Sequence, residues 1–185
     1  MAGPVLIPAA SVLLIREPFE VFMMLRHENR SFVPNAWAFP GGAVDPEDGP
    51  TTEVESFERA ARREVREETG IDLSGELVLT SRWITPEGMP KRFDTWFFLA
   101  TVRRDVGVTL QESEAADYRW ITPADALRES EAGNLPMVFP TIRNLEAIAG
   151  FSSAAELMAA RRGAKIEAIQ PVLIVEDGRK KIVLP

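Results

Sequence analysis

The segment from Thr52 to Gly70 constrains the fold most strongly, because it carries two patterns on one predicted helix. Thr52 followed three residues later by Glu55 predicts the N-cap, and Gly70 predicts the C-terminal end. Apolar residues recur at the spacing of one helical face, at Val54, Phe57, Ala61 and Val65. Such a stripe must be buried against another layer, so the chain needs a sheet or further helices beside this helix.

Three glutamates form a second stripe on the same helix. Glu64, Glu67 and Glu68 stand at positions i, i+3 and i+4 and therefore share a face. Like charges at this spacing each cost roughly 0.2–0.5 kcal/mol, which solvent could tolerate, so a solvated charged helix is the alternative interpretation. The stripe adjoins the apolar face, however, which predicts carboxylates in a crevice between helix and sheet. Carboxylate oxygens suit a hard cation such as Mg²⁺ or Mn²⁺.

Short β-rich runs alternate with helical runs along the rest of the chain. Strands are predicted in SVLLIRE, EVFMMLRH, GELVLTSRWITP and KRFDTWFFLATVRR, helices in TPADALRES, FPTIRNLEAIAG and SSAAELMAARRG, and a terminal hairpin in QPVLIVEDGRKKIVLP. The Gly- and Pro-rich stretch ENRSFVPNAWAFPGGAVDPEDGP predicts a long functional loop. This mixture predicts an α+β fold with a mixed sheet between helices. We expect one domain over residues 1–185, with a core at about 1–135 and an extension of helices and hairpin at about 136–185.

Composition excludes several classes of protein. The chain of 185 residues has no cysteine and one histidine, which excludes disulfides, thiolate metal sites and a histidine-rich zinc site. Its net charge of −7 argues against non-specific nucleic-acid binding, which requires a basic face. The apolar start is too short to span a bilayer and lacks the basic segment of a signal peptide. We therefore expect a cytoplasmic protein that binds neither nucleic acid nor a membrane.

The pattern around the glutamate stripe resembles the signature of the Nudix hydrolases. In that signature a Gly, five residues, a Glu and seven residues precede Arg-Glu-aliphatic-any-Glu-Glu-any-Gly-aliphatic. Here Glu55 is followed, after seven residues, by REVREETGI at residues 63–71. Gly49 has the literal spacing to Glu55, but the family's glycine normally ends a Phe-Pro-Gly-Gly run. We therefore take Gly42 as the equivalent glycine and the stretch DPEDGPT as part of a short insertion.

The resemblance implies a Nudix α/β/α sandwich and an enzyme that hydrolyses phosphorus-containing anhydrides. The substrate would be a small molecule, a nucleoside diphosphate linked to another moiety. Mg²⁺ or Mn²⁺ would be held by the glutamate side chains and one glycine carbonyl, with an arginine beside them that is placed to pair with the second glutamate. These residues are Glu64, Glu67, Glu68, Gly42 and, as the arginine, Arg63.

The residue that removes a proton from the attacking water has two candidate positions. Glu67 on the metal helix is favoured in a combined metal and base role. The family often brings a glutamate from a late loop to the metals, and Glu112 is then preferred to Glu114 in the stretch QESEAAD. For both loop glutamates, a solvated loop charge is the alternative interpretation.

Basic and aromatic residues outside the helix are candidates for substrate contacts. Arginine suits bidentate contact with phosphate, and aromatic rings can stack on a base, although surface charge and core packing are the plainer explanations. The basic candidates are Arg26, Arg30, Arg82, Lys91 and Arg92, with Arg92 favoured. The aromatic candidates are Trp83 and Phe93.

Three further segments bear on the substrate: FPGGAVDPED, SRWITPEGMPKRFDTWFFLA and FPTIRNLEAIAGFSS. They resemble the Nudix subfamily that includes peroxisomal coenzyme A diphosphatases, which favours CoA or acyl-CoA. ADP-ribose or a dinucleotide stays open, because such an enzyme differs only in its substrate. A ligand-sensing regulator on the same fold is less favoured, since a sensor has no need of three glutamates. An isoprenoid diphosphate isomerase usually needs a cysteine, which this chain lacks. A homodimer is left open.

Overall fold

The computed structural model describes residues 5–27, 34–176 and 178–184. The strands in these ranges are β1 Leu6–Arg16, β2 Glu20–Arg26, β3 Trp37–Ala38, β4 Gly41–Ala43, β5 Val78–Ile84, β6 Arg92–Thr101, β7 Ala115–Ile121, β8 Ala168–Ile169, β9 Val172–Glu176 and β10 Arg179–Val183. The helices are α1 Val54–Thr69, α2 Pro123–Glu131, α3 Phe139–Ile148 and α4 Ala154–Arg161, with a short 3-10 helix at Pro46–Asp48. Among the described residues, no helix has both the length and the apolar character needed to cross a membrane. Arg30 and Asp177, which belong to predicted features, lie outside the described residues.

Strand β1 is the centre of a mixed sheet. One edge of β1 pairs in parallel with β6 along its length, from Leu6 opposite Arg92 to Ile15 opposite Thr101. Its other edge pairs antiparallel with β4 and then with β2. The sheet continues from β6 to β5 and β8 on one side, and from β2 to β3 and β7 on the other. The predicted mixed sheet is confirmed.

Helices cover both faces of this sheet. Successive residues of a strand point to opposite faces, so Leu13 and Ile15 pack with α2, α3 and α4, whereas Val12 and Leu14 pack with α1. The α1 layer contains three members of the predicted apolar stripe, Phe57, Ala61 and Val65. The α+β sandwich predicted from the sequence is therefore confirmed.

The two ends of α1 differ in how well the sequence predicts them. Gly70 ends the helix in the left-handed conformation (φ 70°), as predicted. The predicted Thr52 N-cap is wrong, because the helix begins at Val54 with Glu53 in the N-cap position and no capping side chain. The carbonyl of Glu53 accepts from the Ser56 amide instead. Val54, the first residue of the helix, is 39% exposed and therefore lies outside the buried stripe.

The predicted long loop contains regular structure that positions the site. Strand β4 pairs with β1, with Gly41 opposite Ser11 and Gly42 opposite Ala10. Strand β3 pairs with β2, and the 3-10 helix follows. Strand β7, which was not predicted, follows a turn at residues 112–114 and pairs with β2. Strands as short as β3 and β4 carry no periodicity, so only their distant partners define them.

Candidate active site

A cleft of about 490 Å³ contains the glutamates of α1. One of its walls is the polar face of α1, another is β4, and the third is the stretch that leads into β7. Its lining residues are Gly42, Ala43, Asp45, Arg63, Glu64, Glu67, Glu68, Gln111 and Glu114. Five of these nine carry a carboxylate and one carries a positive charge, so the cleft favours a bound cation.

The Arg63 side chain bonds to residues on three sides of this cleft. Its Nη1 donates to Glu64 Oε1 at 2.8 Å and to Glu67 Oε2 at 3.3 Å, so the predicted pairing with Glu67 is present. Its Nη2 donates to Asp48 Oδ2 at 2.8 Å and to the Ala43 carbonyl at 3.0 Å. One guanidinium thereby connects α1, β4 and the 3-10 helix.

Asp48 is a buried carboxylate that the sequence analysis did not identify. Burial alone would raise its pKa, but the bonds and charge of Arg63 and the Asp45 amide together hold the pKa of Asp48 below its usual value. Both of its oxygens accept from Arg63, at 3.2 Å and 2.8 Å. An acidic residue in the stretch DPEDGP resembles any solvated turn residue, and only the folded chain brings it to Arg63.

Glu68 is the most deeply buried glutamate of the stripe, with 3% exposure. Its Oε2 accepts the Gly41 amide proton at 2.7 Å. Burial raises the pKa of Glu68 to about 8, and the charges of Glu64 and Glu114 act in the same direction. The Gly41 amide and the charge of Arg26 oppose the rise without cancelling it. A positive charge placed beside this carboxyl would therefore be strongly favoured.

The glycine pair of β4 allows the helix to approach the sheet. A Cβ at Gly42 would overlap the carboxylate of Glu64. A Cβ at Gly41, where φ is 153°, would overlap the Ala10 carbonyl of β1. Gly49, the other glycine considered for the signature, lies beside the Arg59 side chain of α1.

Burial raises the pKa of Glu64, and the hydrogen bond and charge of Arg63 offset this rise only in part.

The side chains of the cleft fit a hard cation by their chemistry. Within the described ranges, no group of three or more acidic or histidine side chains is already arranged around a single metal position. Arg63 occupies oxygens of Glu64 and Glu67, and the Gly41 amide occupies an oxygen of Glu68. The donors are nevertheless carboxylates and carbonyls, which Mg²⁺ and Mn²⁺ prefer. Glu67 is half exposed, and its bond to Arg63 is longer than that of Glu64.

The two loop glutamates lie in different surroundings. Glu114 lines the cleft, whereas Glu112 is exposed and does not. The Glu114 carbonyl accepts from the His27 amide at 3.0 Å, and the Glu114 amide donates to Gln111. The predicted preference for Glu112 as the general base therefore has no support from its position, because the turn places the Glu112 side chain in solvent.

A second cleft of about 380 Å³ lies on the other side of β4, and Gly42 and Ala43 line both clefts. It brings together four of the predicted substrate residues, which are Arg26, Lys91, Trp83 and Phe93. Lys91 Nζ lies 5.2 Å from the centre of the Phe93 ring.

Two predicted substrate arginines line neither cleft. Arg82 makes a bidentate pair with Asp94, at 2.8 Å and 2.6 Å, and lies over the Trp96 ring. Arg92 donates to the Thr85 carbonyl at 3.1 Å. Their predicted contact with substrate phosphates has no support from these positions. Sequence reasoning could not find Asp94 as a partner, because it stands on the neighbouring strand.

The sequence is similar to a protein family and to several known proteins. A family model described as the NUDIX domain matches residues 5–140. A Nudix relative from Caenorhabditis elegans is 29% identical over 174 residues, which cover 74% of this chain and 58% of the relative. The human acyl-coenzyme A diphosphatase NUDT19 is 25% identical over 179 residues, 92% of this chain and 48% of that protein. This chain thus spans about half the length of these two relatives.

A solved structure extends the comparison. The crystal structure of a NUDIX hydrolase from Alicyclobacillus acidocaldarius has a TM-score of 0.80 and 25% identity, and the match covers 89% of this chain and 100% of that one. The family model covers most of the chain, and the matched residues include helix α1 with its glutamates and strand β4 with its glycine pair. The chain belongs to the Nudix hydrolase family.

Proposed function

We propose that this protein is a divalent-cation-dependent pyrophosphohydrolase that cleaves the diphosphate bond of a nucleoside diphosphate linked to another moiety. CoA or acyl-CoA is the favoured substrate. The observation that carries the proposal is the junction of the two clefts at Gly42 and Ala43. An acidic cleft suited to cations adjoins a mostly apolar cleft with two basic residues, as a diphosphate with a bulky organic group requires. The choice of CoA is supported by the similarity to the human acyl-coenzyme A diphosphatase over 92% of this chain.

The acidic cleft supplies the cation ligands. Glu64, Glu67, Glu68 and the Gly42 carbonyl would hold Mg²⁺ or Mn²⁺. Such a cation, when bound, lowers the pKa of water and neutralises phosphate oxygens. A cation in this position favours ionised Glu68, whose pKa is otherwise raised to about 8. Carboxylate oxygens of Glu64 and Glu67 that bind a cation would no longer be available to Arg63, and the bonds of Arg63 to Asp48 would still hold the guanidinium in place.

The basic residues of the second cleft would orient the diphosphate. Arg26 lines that cleft and also lies close enough to Glu68 for its charge to lower the pKa of that carboxyl. It therefore stands between the two clefts, where the diphosphate would lie. Lys91 supplies a second positive charge in the same cleft. Arg26 is thus a better candidate for phosphate contact than Arg92.

The hydrolysis needs one proton acceptor and no covalent intermediate. Water adds to one phosphorus, the bridging oxygen leaves with the other phosphate, and a carboxylate takes the proton. Glu67 is favoured as the acceptor, because it is half exposed and its bond to Arg63 is the longer of the two that Nη1 makes. Glu114, on the opposite wall, is the alternative.

The test is a substrate panel in Mg²⁺ or Mn²⁺ with products identified by mass. We expect CoA or an acyl-CoA to give adenosine 3′,5′-bisphosphate and a phosphopantetheine product. Glu67→Gln and Glu68→Gln should each lose roughly 10²-fold or more in kcat while circular dichroism stays unchanged. The matched control is Glu146→Gln on α3, which lies outside both clefts.

Other outcomes separate the rival functions. A strong preference for ADP-ribose or a dinucleotide with CoA inert would overturn the choice of CoA but keep the reaction class. Near-wild-type kcat for Glu67→Gln or Glu68→Gln at saturating Mg²⁺ would overturn the cation site. Tight binding of a nucleotide without any hydrolysis would favour a ligand-sensing regulator.

A further inference from the structure

Strand β7 forms an edge of the sheet. It consists of seven residues, Ala115–Ile121, and pairs antiparallel with β2 along one side. In the part of the chain that the structure describes, no strand pairs with its other side. Residues 116–119 are exposed. An edge of this kind offers its outward backbone groups to another strand.

The hydrogen bonds at the end of β2 establish which residues of β2 face β7. The Arg26 amide donates to the Ala36 carbonyl at 3.0 Å, and the Arg26 carbonyl accepts from the Asn35 amide at 3.2 Å, beside β3. The next amide, that of His27, donates to the Glu114 carbonyl just before β7. Because successive residues of a strand direct their backbone groups to opposite sides, the odd-numbered residues of β2 bond to β7.

Tyr118 consequently directs its backbone amide and carbonyl away from β2. Its partner on β2 is Met24, an even-numbered residue, whereas Asp117 and Arg119 pair with odd-numbered ones. The Tyr118 amide donates instead to the side chain of Asp117 at 2.8 Å. The outer side of β7 therefore presents the backbone of Tyr118 between two residues whose backbones face inward.

The two residues that flank Tyr118 carry opposite charges. Asp117 and Arg119 are both exposed, and the Arg119 guanidinium lies 4.9 Å from the centre of the Trp37 ring. In an antiparallel pairing of two copies about Tyr118, Asp117 of each copy would lie opposite Arg119 of the other. This position is a non-hydrogen-bonded pair, where Cα atoms are about 4.5 Å apart and side chains interact most closely. Symmetry would give two such ion pairs.

Charge favours this register over its neighbours. A two-fold axis at Asp117 would place two aspartates opposite each other, and an axis at Arg119 would place two arginines opposite each other. Like charges directly opposite destabilise a strand pair. An axis between two residues would set outward backbone groups against inward ones, so no ladder of hydrogen bonds could form.

We propose that β7 is the surface through which two copies of this chain associate, with their sheets joined across a two-fold axis at Tyr118. The Tyr118 amide of each copy donates to the Tyr118 carbonyl of the other, and Asp117 exchanges its bond to Tyr118 for one to Arg119 of the other copy. Such a contact is self-complementary, as a two-fold dimer requires. The inference is independent of the proposed function, since residues 116–121 line neither cleft.

The experiment is analytical ultracentrifugation of the full chain over a series of concentrations. Two seven-residue strands bury less surface than a standard interface, so we expect a reversible dimer that forms as the concentration rises. Asp117→Arg should raise the Kd of the dimer on the order of tenfold or more, because two like-charged pairs replace two opposite ones. Arg119→Asp should do the same. The double variant Asp117→Arg/Arg119→Asp restores both pairs and should return Kd to within roughly threefold of the wild type.

The matched control is Asp105→Arg. Asp105 and Arg103 form an exposed pair at 2.8 Å with the same sequence separation, outside any strand, so this change alters the net charge equally without touching β7. It should change Kd by less than about threefold. Circular dichroism checks the fold of each variant, and the two single variants test the contact independently.

Three results would overturn the inference. The first is a wild-type chain that stays monomeric throughout the series. The second is a dimer that Asp117→Arg and Asp105→Arg weaken equally, which would place the contact elsewhere. The third is a double variant that dimerises no better than the single ones, because charge exchange must rescue a pairing centred on Tyr118.

Discussion

At Gly42 a missing side chain determines where the carboxylate of Glu64 can lie. Gly42→Ala should be tolerated by the backbone, since its φ is outside the left-handed region, but its Cβ would push Glu64 aside. Displacing a group of the site by about 1 Å can cost on the order of 10²-fold in rate. We expect a loss of at least tenfold in kcat at saturating Mg²⁺. Gly107→Ala, where a Cβ would meet nothing within 4 Å, is the control, and equal kcat for both variants would contradict this role.

The raised pKa of Glu68 makes the stability of the cation-free protein depend on pH. The folded pKa is about 8 and the ordinary value is 4.5, so between these pH values the unfolded chain has lost a proton that the folded chain keeps. The stability from neutral Glu68 is therefore fully present below pH 4.5 and is lost as the pH rises toward 8. The effect is on the order of a few kcal/mol.

The measurement is urea unfolding in EDTA across this pH range. Wild-type protein should lose stability as the pH rises, whereas Glu68→Gln, which cannot ionise, should show a flatter profile. Added Mg²⁺ should restore more stability at pH 8 than at pH 4.5 in the wild type, because it favours the ionised carboxylate. Parallel pH profiles for the two proteins would mean that Glu68 is not the titrating group.

At the level of elements, the turn at residues 112–114 decides which glutamate reaches the cleft. The Gln111 amide donates to the Glu68 carbonyl at 2.9 Å, so the turn is attached to the end of α1. Glu114→Gln should lower kcat roughly tenfold, because the loss of one charge-assisted hydrogen bond to the reacting groups raises the barrier by about that factor. Glu112→Gln, in the same turn but exposed, should cost almost nothing. A loss of roughly 10²–10⁴-fold at Glu114 with unchanged Mg²⁺ affinity would make Glu114, not Glu67, the general base.

The same elements show what the sequence can and cannot predict. The glutamate stripe and its neighbouring apolar stripe follow from spacing within one helix, so they are visible without any partner. Asp48, Asp94 and the short strands β3 and β4 depend on residues far away in the chain, and no local pattern reports them. The position of Glu114 rather than Glu112 beside the cleft has a related cause, because it depends on the rotation of a turn that is bonded to β2 and α1.

At the scale of the whole molecule, the two clefts belong to different helical layers. The acidic cleft lies on the α1 side of the sheet, and the second cleft is lined by side chains such as Trp83 and Phe97 that face α2, α3 and α4. Strand β4 separates the two clefts, so a substrate that occupies both would have to pass over Gly42 and Ala43. The position of such a substrate would therefore depend on how firmly both helical layers are packed against the one sheet.

A substitution in helix α4 can test whether the C-terminal segment unfolds together with the rest of the chain, as expected for a single domain. Leu157 is fully buried and packs in the same core cluster as Leu13 and Trp83 of the sheet. Leu157→Ala should therefore lower the unfolding free energy by about 2–5 kcal/mol, through lost burial and the cavity left behind. All four tryptophans lie in sheet strands, so tryptophan fluorescence reports on the sheet while far-UV circular dichroism reports on the helices.

If the chain is one domain, the fluorescence and dichroism signals of Leu157→Ala should shift together and show a single unfolding transition. The control is Val175→Ala on the exposed face of the hairpin, which should change stability by less than about 0.5 kcal/mol. If the segment after residue 135 were a separate unit, the dichroism signal would split into two transitions and the fluorescence midpoint would stay at its wild-type value. A coincident shift would mean that the helices beyond the family-matched region stabilise the sheet that carries both clefts.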